Sequence, residues 1–208
     1  MSESAYLDFM AKHPLSVMVN QTNAMITQCP LVYVHSRHSL IGHLAIGNEF
    51  LSTTSDGDSV TLLFSGNQGY ISPNWYDEKA RAQGSENINF REVPTWNYNS
   101  LEVIGKLNLV SSDQTLKVLT KQTQFLESRV NENWTLDKLS ESAKSAMIKA
   151  ITAFEINIES WQGKEKLSQN KSTLLKSSLI NHMKNQNNVS YDSLVADMLN
   201  KMNDYEHN

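Results

Sequence analysis

Two short blocks hold the side chains best suited to chemistry, Tyr70-Ile-Ser-Pro-Asn-Trp-Tyr76 and Val93-Pro-Thr-Trp-Asn-Tyr98. Each sets a proline beside hydroxyl, amide and indole groups. Proline fixes φ and removes a backbone donor, so Ser72-Pro73 and Val93-Pro94 belong at strand ends rather than strand centres. A ring and several polar groups on stiff backbone suit a flat ligand with a polar edge. Composition alone favours a blander reading, two loops that each bury a tryptophan.

A third block, Gly163-Lys-Glu-Lys-Leu-Ser-Gln-Asn-Lys-Ser172, stands between a strand-like run and a helix-like one. Backbone N–H groups at a helix N-terminus, helped by a lysine and a serine hydroxyl, favour an anion. By itself the block also reads as a helix cap with solvated lysines. His35, His38 and His43 invite a metal reading, but no carboxylate or cysteine joins them at a recurring ligand spacing. They read as surface or core side chains, and no metal is expected. The chain has no Gly-x-Ser-x-Gly elbow, no Gly-x-x-x-x-Gly-Lys-Ser/Thr loop and no Gly-x-Gly-x-x-Gly turn, which disfavours hydrolysis, P-loop and Rossmann chemistry.

The elements that must position these blocks follow from period and punctuation. Residues 4–13 read as a helix closed by Pro14, and Leu15 to Val19 alternates as a strand. Ala24 to Val34 is a second apolar stretch in which Pro30 marks an edge or bulge, and Leu40 to Ile46 is a third strand. Ser55-Asp-Gly-Asp58 turns the chain into a buried strand, Val60 to Phe64. Ser65 to Gly69 then reads as a loop, and 77–92 as a polar loop between the two tryptophan blocks. Period two over Leu101, Val103, Gly105, Leu107 and Leu109 is the clearest strand.

Ser111 with Gln114 makes a capping-box pattern before a helix whose predicted inner face is Leu116, Leu119, Thr123, Leu126 and Val130. Ser140 starts another helix. Phe154, Ile156 and Ile158 form a strand that Gln162-Gly163 should end. Ser172 or Thr173 caps a helix with Leu175, Leu179 and Met183, and Ser190 caps a last one with Leu194, Val195, Met198, Leu199 and Met202. Seven or eight short strands interrupted by helices predict an α+β fold, a small β-barrel with helices packed at its ends.

The totals set outer limits. A chain of 208 residues, 39% apolar and 19% charged, fits one domain, or one with a helical extension. The lone Cys29 excludes an internal disulfide framework and reads as a small apolar filler. Eighteen basic against 22 acidic residues leave a net charge of −4, so the chain as a whole does not attract nucleic acid. Lys164, Lys166, Lys171 and Lys176 form only a modest basic patch, enough for a phosphate-sized anion. No apolar run is long enough to span a bilayer, and Met-Ser-Glu-Ser opens no leader-like segment, so a cytoplasmic location without membrane contact is expected.

Taken together, the three blocks resemble the PaiB-type family of FMN-binding split-barrel proteins, often described as negative transcriptional regulators. That family writes them as Ile-Ser-Pro-Ser-Trp-Tyr, Val-Pro-Thr-Trp-Asn-Tyr and Lys-Leu-Ser-Gln-Asn-Arg-Ser. Their order and separations agree here, and the resemblance runs over roughly residues 8 to 175. It implies an α+β, FMN-binding split β-barrel with flanking helices over 1–172, a helical extension over 173–208, and a homodimer with FMN in a groove between subunits.

The resemblance also implies site residues. Lys166, His43 and Asn48 would meet the flavin phosphate, while Thr27, Gln28 and Ser72 would hydrogen-bond the ring edge or ribityl chain. Trp75 and Trp96 would wall the flavin, and Asn97 and Gln169 would bond across the dimer. No residue is an obvious general acid or base, since in flavoproteins the cofactor carries the redox chemistry.

Two departures bear on affinity. Gln28-Cys-Pro-Leu31 stands where the family has His-Leu-Pro-Phe, and Ile46 stands where the family has an arginine. Losing a charge-assisted phosphate contact costs roughly 1.5–3 kcal/mol, up to about a hundredfold, which implies weak or lost FMN binding with the fold intact. Three readings follow: a regulator or flavin-dependent sensor, a flavin-dependent oxidoreductase on a small substrate, and a flavin-less dimeric barrel acting through protein contacts. The family label admits DNA binding, but the charge does not support it.

Overall fold

The computed structural model describes residues 2–76, 92–186 and 188–206. The predicted loop at 77–92 lies outside the described residues except for Glu92. Helix α1 (Glu3–Lys12) starts at Ser2, whose side chain accepts from Ala5 N, and stops before Pro14. Strands β1 (Leu15–Asn20), β2 (Ile26–Pro30), β3 (Val32–Val34) and β4 (Ser39–Ala45) follow. The apolar stretch 24–34 thus splits at Pro30 into two strands, and these are the two edges of the sheet. Proline is tolerated there because an edge needs fewer ladder donors.

A four-residue helix α2 (Glu49–Ser52), capped by Asn48, precedes β5 (Asp58–Ile71). Strand β6 (Thr95–Leu109) leads into α3 (Ser112–Arg129) and α4 (Glu141–Lys149), followed by β7 (Ile151–Lys166), α5 (Thr173–Lys184) and α6 (Val189–Glu206). The seven strands form one sheet in the order β2-β1-β5-β6-β7-β4-β3. Among the described residues no helix is long and apolar enough to cross a membrane.

Several expectations are corrected. Residues 65–69 are not a loop, because β5 runs through them to Ile71. Gly69 serves a close approach instead: a Cβ there would lie 2.6 Å from Tyr191 Cε1. Likewise β7 does not end at Gly163 but continues to Lys166. On α3 the buried face is Thr115, Val118, Leu119 and Gln122, whereas Leu116 and Val130 are exposed. Ser111 makes no side-chain cap bond; its hydroxyl interacts with Asp113, which displaces the capping box. The last helix is opened by Asn188, whose Oδ1 accepts from Ser190 N at 3.0 Å, rather than by Ser190.

The residues group into two compact units, Met1–Ser65 with Leu101–Gly163 and Gly66–Ser100 with Lys164–Asn208. In the first, β1 pairs antiparallel with β2 and β5, and β4 with β3 and β7. Period two sends Met18, Leu62, Phe64, Leu101, Val103, Phe154 and Ile156 into its core. Gly105 is required there because a Cβ would lie 2.4 Å from the Asn157 carbonyl oxygen. A second apolar layer of Val32, Val34, Ile41, Ala153 and Val118 joins α3 to the sheet. In the second unit, Ile71, Tyr76, Leu167, Leu175, Leu179, Met183, Leu194 and Met198 make the core with Met202 packed against it, as the spacing in α5 and α6 predicts, except that Leu199 is exposed.

Candidate functional site

In the first unit, four of the expected site residues sit on strands or a cap. Asn48 follows β4 and caps α2, its Oδ1 accepting from Phe50 N at 3.0 Å, while its Nδ2 donates to Thr27 Oγ1 at 3.2 Å. Thr27 and Asn48 are therefore brought together. Gln28 lies opposite Val17 on an exposed sheet face that also carries Leu15, Ile26 and Leu63. Alternation places Gln28 and Thr27 on opposite faces of β2.

His43 is held by a buried glutamine that the sequence reading passed over. Gln122 Nε2 donates to the Pro30 carbonyl at 2.6 Å, and its Oε1 faces His43 Nδ1 at 2.6 Å. A carbonyl can only accept, so the amide orientation is fixed; Oε1 must accept, and Nδ1 must carry a proton. Neutral His43 is thereby held with Nε2 as its acceptor nitrogen. The signal was available: Gln122 lies seven residues after Thr115 on the stripe that Val118 and Leu119 define. Cys29 Sγ donates to the His43 carbonyl at 3.2 Å, and burial pushes this thiol up to about 12. His35 and His38 lie outside this network: both pack edge-on against Tyr33, and His38 Nδ1 meets Tyr33 Oη at 2.8 Å.

The second unit brings its expected residues into two groups, which alternation along β6 sets on opposite faces, Thr95 and Asn97 on one and Trp96 on the other. The first is a cleft of about 170 Å³ lined by Thr95, Asn97, Lys166, Ser168, Gln169 and Lys171, with Tyr76 and Glu92. Lys166 Nζ donates to Thr95 Oγ1 at 2.6 Å, and Lys171 Nζ pairs with Glu92 at 2.5 Å. Asn97 is buried and exchanges hydrogen bonds with Ser168 Oγ at 3.0 and 3.2 Å. Gln169 is occupied locally, accepting from Leu167 N and donating to the Glu165 carbonyl, which folds the turn after β7. Ser168 sits at φ 60°, a left-handed turn position. Burial is the main cause that raises the Tyr76 phenol, so it keeps its proton.

The second group is aromatic. Tyr70 stands edge-on to Trp75 at 6.3 Å and to Trp96 at 6.2 Å, and Trp75 meets Tyr191 at 5.5 Å. Ser72 caps the short 3₁₀ turn Pro73–Trp75 by accepting from Asn74 N. Trp96 is 47% exposed, so the wall keeps an open ring face. The lysines are less available than their number suggests: Lys164 lies over the Tyr98 ring, and Lys171 is paired.

A family model described as "Putative FMN-binding domain" matches residues 1–160. The chain is similar to the protease synthase and sporulation protein PAI 2 of Bacillus subtilis, 27% identical over 188 residues, covering 89% of this chain and 85% of that protein. An uncharacterized protein of Emericella nidulans is 31% identical over 123 residues, covering 54% of this chain and 47% of its own length. Among solved structures, the FAD and heme binding protein from Mycobacterium smegmatis aligns with a TM-score of 0.56 at 14% identity, over 79% of this chain and 71% of that one. That likeness is one of fold, and the α+β split barrel expected from the three blocks is the fold of this chain.

Proposed function

The chain belongs to the FMN-binding domain family, which makes FMN its cofactor, and from that premise we propose a cytoplasmic split-barrel homodimer that works as a transcriptional regulator or flavin-dependent sensor. The residues present suit the group. Lys166 and Thr95 offer a cation and a hydroxyl for a phosphate, and on the other face of β6 the Tyr70, Trp75 and Trp96 wall offers a ring face for a flat heterocycle. Of the groups expected at the flavin in the first unit, Thr27 and Asn48 stand together, Gln28 lies on the opposite face of β2 and His43 is held by Gln122, while Asn97 and Gln169 shape the turn that carries Lys166 and Lys171. FMN, when bound, supplies the redox chemistry.

The likeness to PAI 2 carries the regulator or sensor reading, and the groups of the cleft are compatible with it. The acid–base groups of the cleft are committed: Glu92 is spent on Lys171, and the Tyr76 phenol is held protonated by burial. These groups are placed to bind and orient, and the redox step belongs to the flavin. The name of PAI 2, a protease synthase and sporulation protein, supports a regulatory role. For the dimer, support comes from the exposed face bearing Leu15, Ile26 and Leu63 beside half-buried Val17 and Val19.

The test is a turnover assay of the FMN-loaded protein with NADH and NADPH, beside a redox-dependent readout of its partner or oligomer state. Sensor chemistry gives no sustained turnover and a change of state on flavin reduction. Sustained turnover with a small acceptor would replace this reading with an oxidoreductase. The isolated protein is also expected to give no tight, sequence-specific DNA shift, because its net charge is −4.

A further inference from the structure

The first unit contains a cavity of about 470 Å³ whose walls include none of the residues assigned to the flavin. Its size falls within the span of roughly 300–1,000 Å³ usual for small-molecule sites. Helical spacing builds one wall: Gln114, Lys117, Val118 and Lys121 recur at three- and four-residue steps along α3. Ile41, fully buried, and Val118 make an apolar floor continuous with the layer under α3.

The charges are unbalanced. Among the described residues Glu155 is the only carboxylate in the lining, and both of its oxygens are engaged, one by Ser39 Oγ and the other by Arg37 Nη1 at 3.0 Å. Lys117 Nζ donates to the neutral Gln114 Oε1 at 3.1 Å and is near enough to Asp113 to help hold that carboxyl down, and Lys121 has no ion-pair partner among the described residues. Two ammonium groups four residues apart on one helix repel each other, and an anion between them relieves that repulsion. Asp113, the acidic residue of the first turn, is not among the walls. A protein of net charge −4 thus sets three cations, Arg37, Lys117 and Lys121, against one lining carboxylate over an apolar floor.

We propose that this cavity binds a small amphipathic organic anion, a carboxylate on a short apolar body, with its headgroup at Lys117 and Lys121 and its body on Ile41 and Val118. The site would give a regulator an effector input separate from its flavin, and the inference does not depend on the flavin reading.

The test is a ¹⁵N-HSQC titration of the full chain with hexanoate, repeated with hexylamine and with inorganic phosphate, alongside an FMN titration of the same sample. Saturable shifts centred on Arg37, Ile41 and residues 111–121 are expected with hexanoate, with at least tenfold weaker binding of hexylamine and of phosphate. The exposed double variant Lys117→Glu/Lys121→Glu should weaken hexanoate at least tenfold and leave FMN binding unchanged; Lys117→Ala/Lys121→Ala serves as the milder variant. No saturation, equal binding of hexylamine or phosphate, indifference to both variants, or competitive displacement by FMN would each overturn the proposal. The parallel FMN titration separates its failure from a failure of the flavin reading.

Discussion

Replacing Gln122 by methionine keeps the length and apolar stem of a side chain that is 2% exposed, and removes both polar ends. Two hydrogen bonds of 2.6 Å vanish, one to the Pro30 carbonyl and one from His43 Nδ1. Each is worth about 1 kcal/mol net, and a buried acceptor left bare adds about 1–3 kcal/mol. The single Cys29 S–H is shared between the His43 carbonyl at 3.2 Å and the Pro30 oxygen at 3.4 Å, and half-buried His43 can reach water, so the lower part of that penalty applies. The expected loss is about 2–4 kcal/mol. Urea unfolding should show a lower midpoint with an unchanged slope. Imidazole ¹⁵N shifts near pH 8 should place the proton of His43 on Nδ1 in the wild type and redistribute it in the variant. A midpoint unchanged to within about 0.5 kcal/mol, or a wild-type His43 protonated on Nε2, would refute the derived orientation.

Other outcomes follow from the same contacts. Cys29, pushed up to about 12 and fully buried, should resist a thiol reagent at pH 8 and react only on unfolding; rapid stoichiometric labelling of the native protein would contradict this. Gly105→Ala should destabilise more than Gly69→Ala, because the first meets a carbonyl oxygen at 2.4 Å and the second the edge of the Tyr191 ring; losses of about 1–3 kcal/mol or more are expected in urea unfolding, and the reverse order would count against the packing described. Asp58 is held below its ordinary carboxylate value, first by Ser55 N–H and then by the Asn20 amide. Its contribution is therefore present above the unfolded value and lost as pH falls through the lower folded one; Asp58→Asn should flatten the acid limb of the stability curve, and an unchanged limb would sink the assignment. Ile46→Arg restores the arginine found in the resembling family at a position 66% exposed, and should tighten FMN about ten- to hundredfold in a fluorescence titration.

How much was legible in the sequence depended on the range of the cause. Strands β1, β4 and β6 were readable because period two is local, and Ser72-Pro73 and Val93-Pro94 end or precede strands because proline acts on its own residue. Gly69 misled because its cause is Tyr191, more than a hundred residues away, so a strand glycine looked like a loop glycine. Helix α2 is a single turn, too short for a period to show. The inner face of α3 was misplaced because Thr115 and Gln122 are polar, and a polar side chain turns inward only when the partner exists, here His43 and the Pro30 carbonyl. Of the candidate site, the tryptophan blocks and Lys166 were visible as motifs, while Tyr70, Tyr191 and the Lys171–Glu92 pair became relevant only through tertiary contact.

The central claim, that this chain holds FMN, is tested most directly by titrating the purified full chain with FMN and following flavin fluorescence, with Lys166→Ala in parallel. Saturable binding of one FMN per chain is predicted, weakened about ten- to hundredfold in the variant, the loss expected for one charge-assisted phosphate contact. No saturable change with the wild-type protein would contradict the claim, and equal affinity of the variant would remove Lys166 from the phosphate.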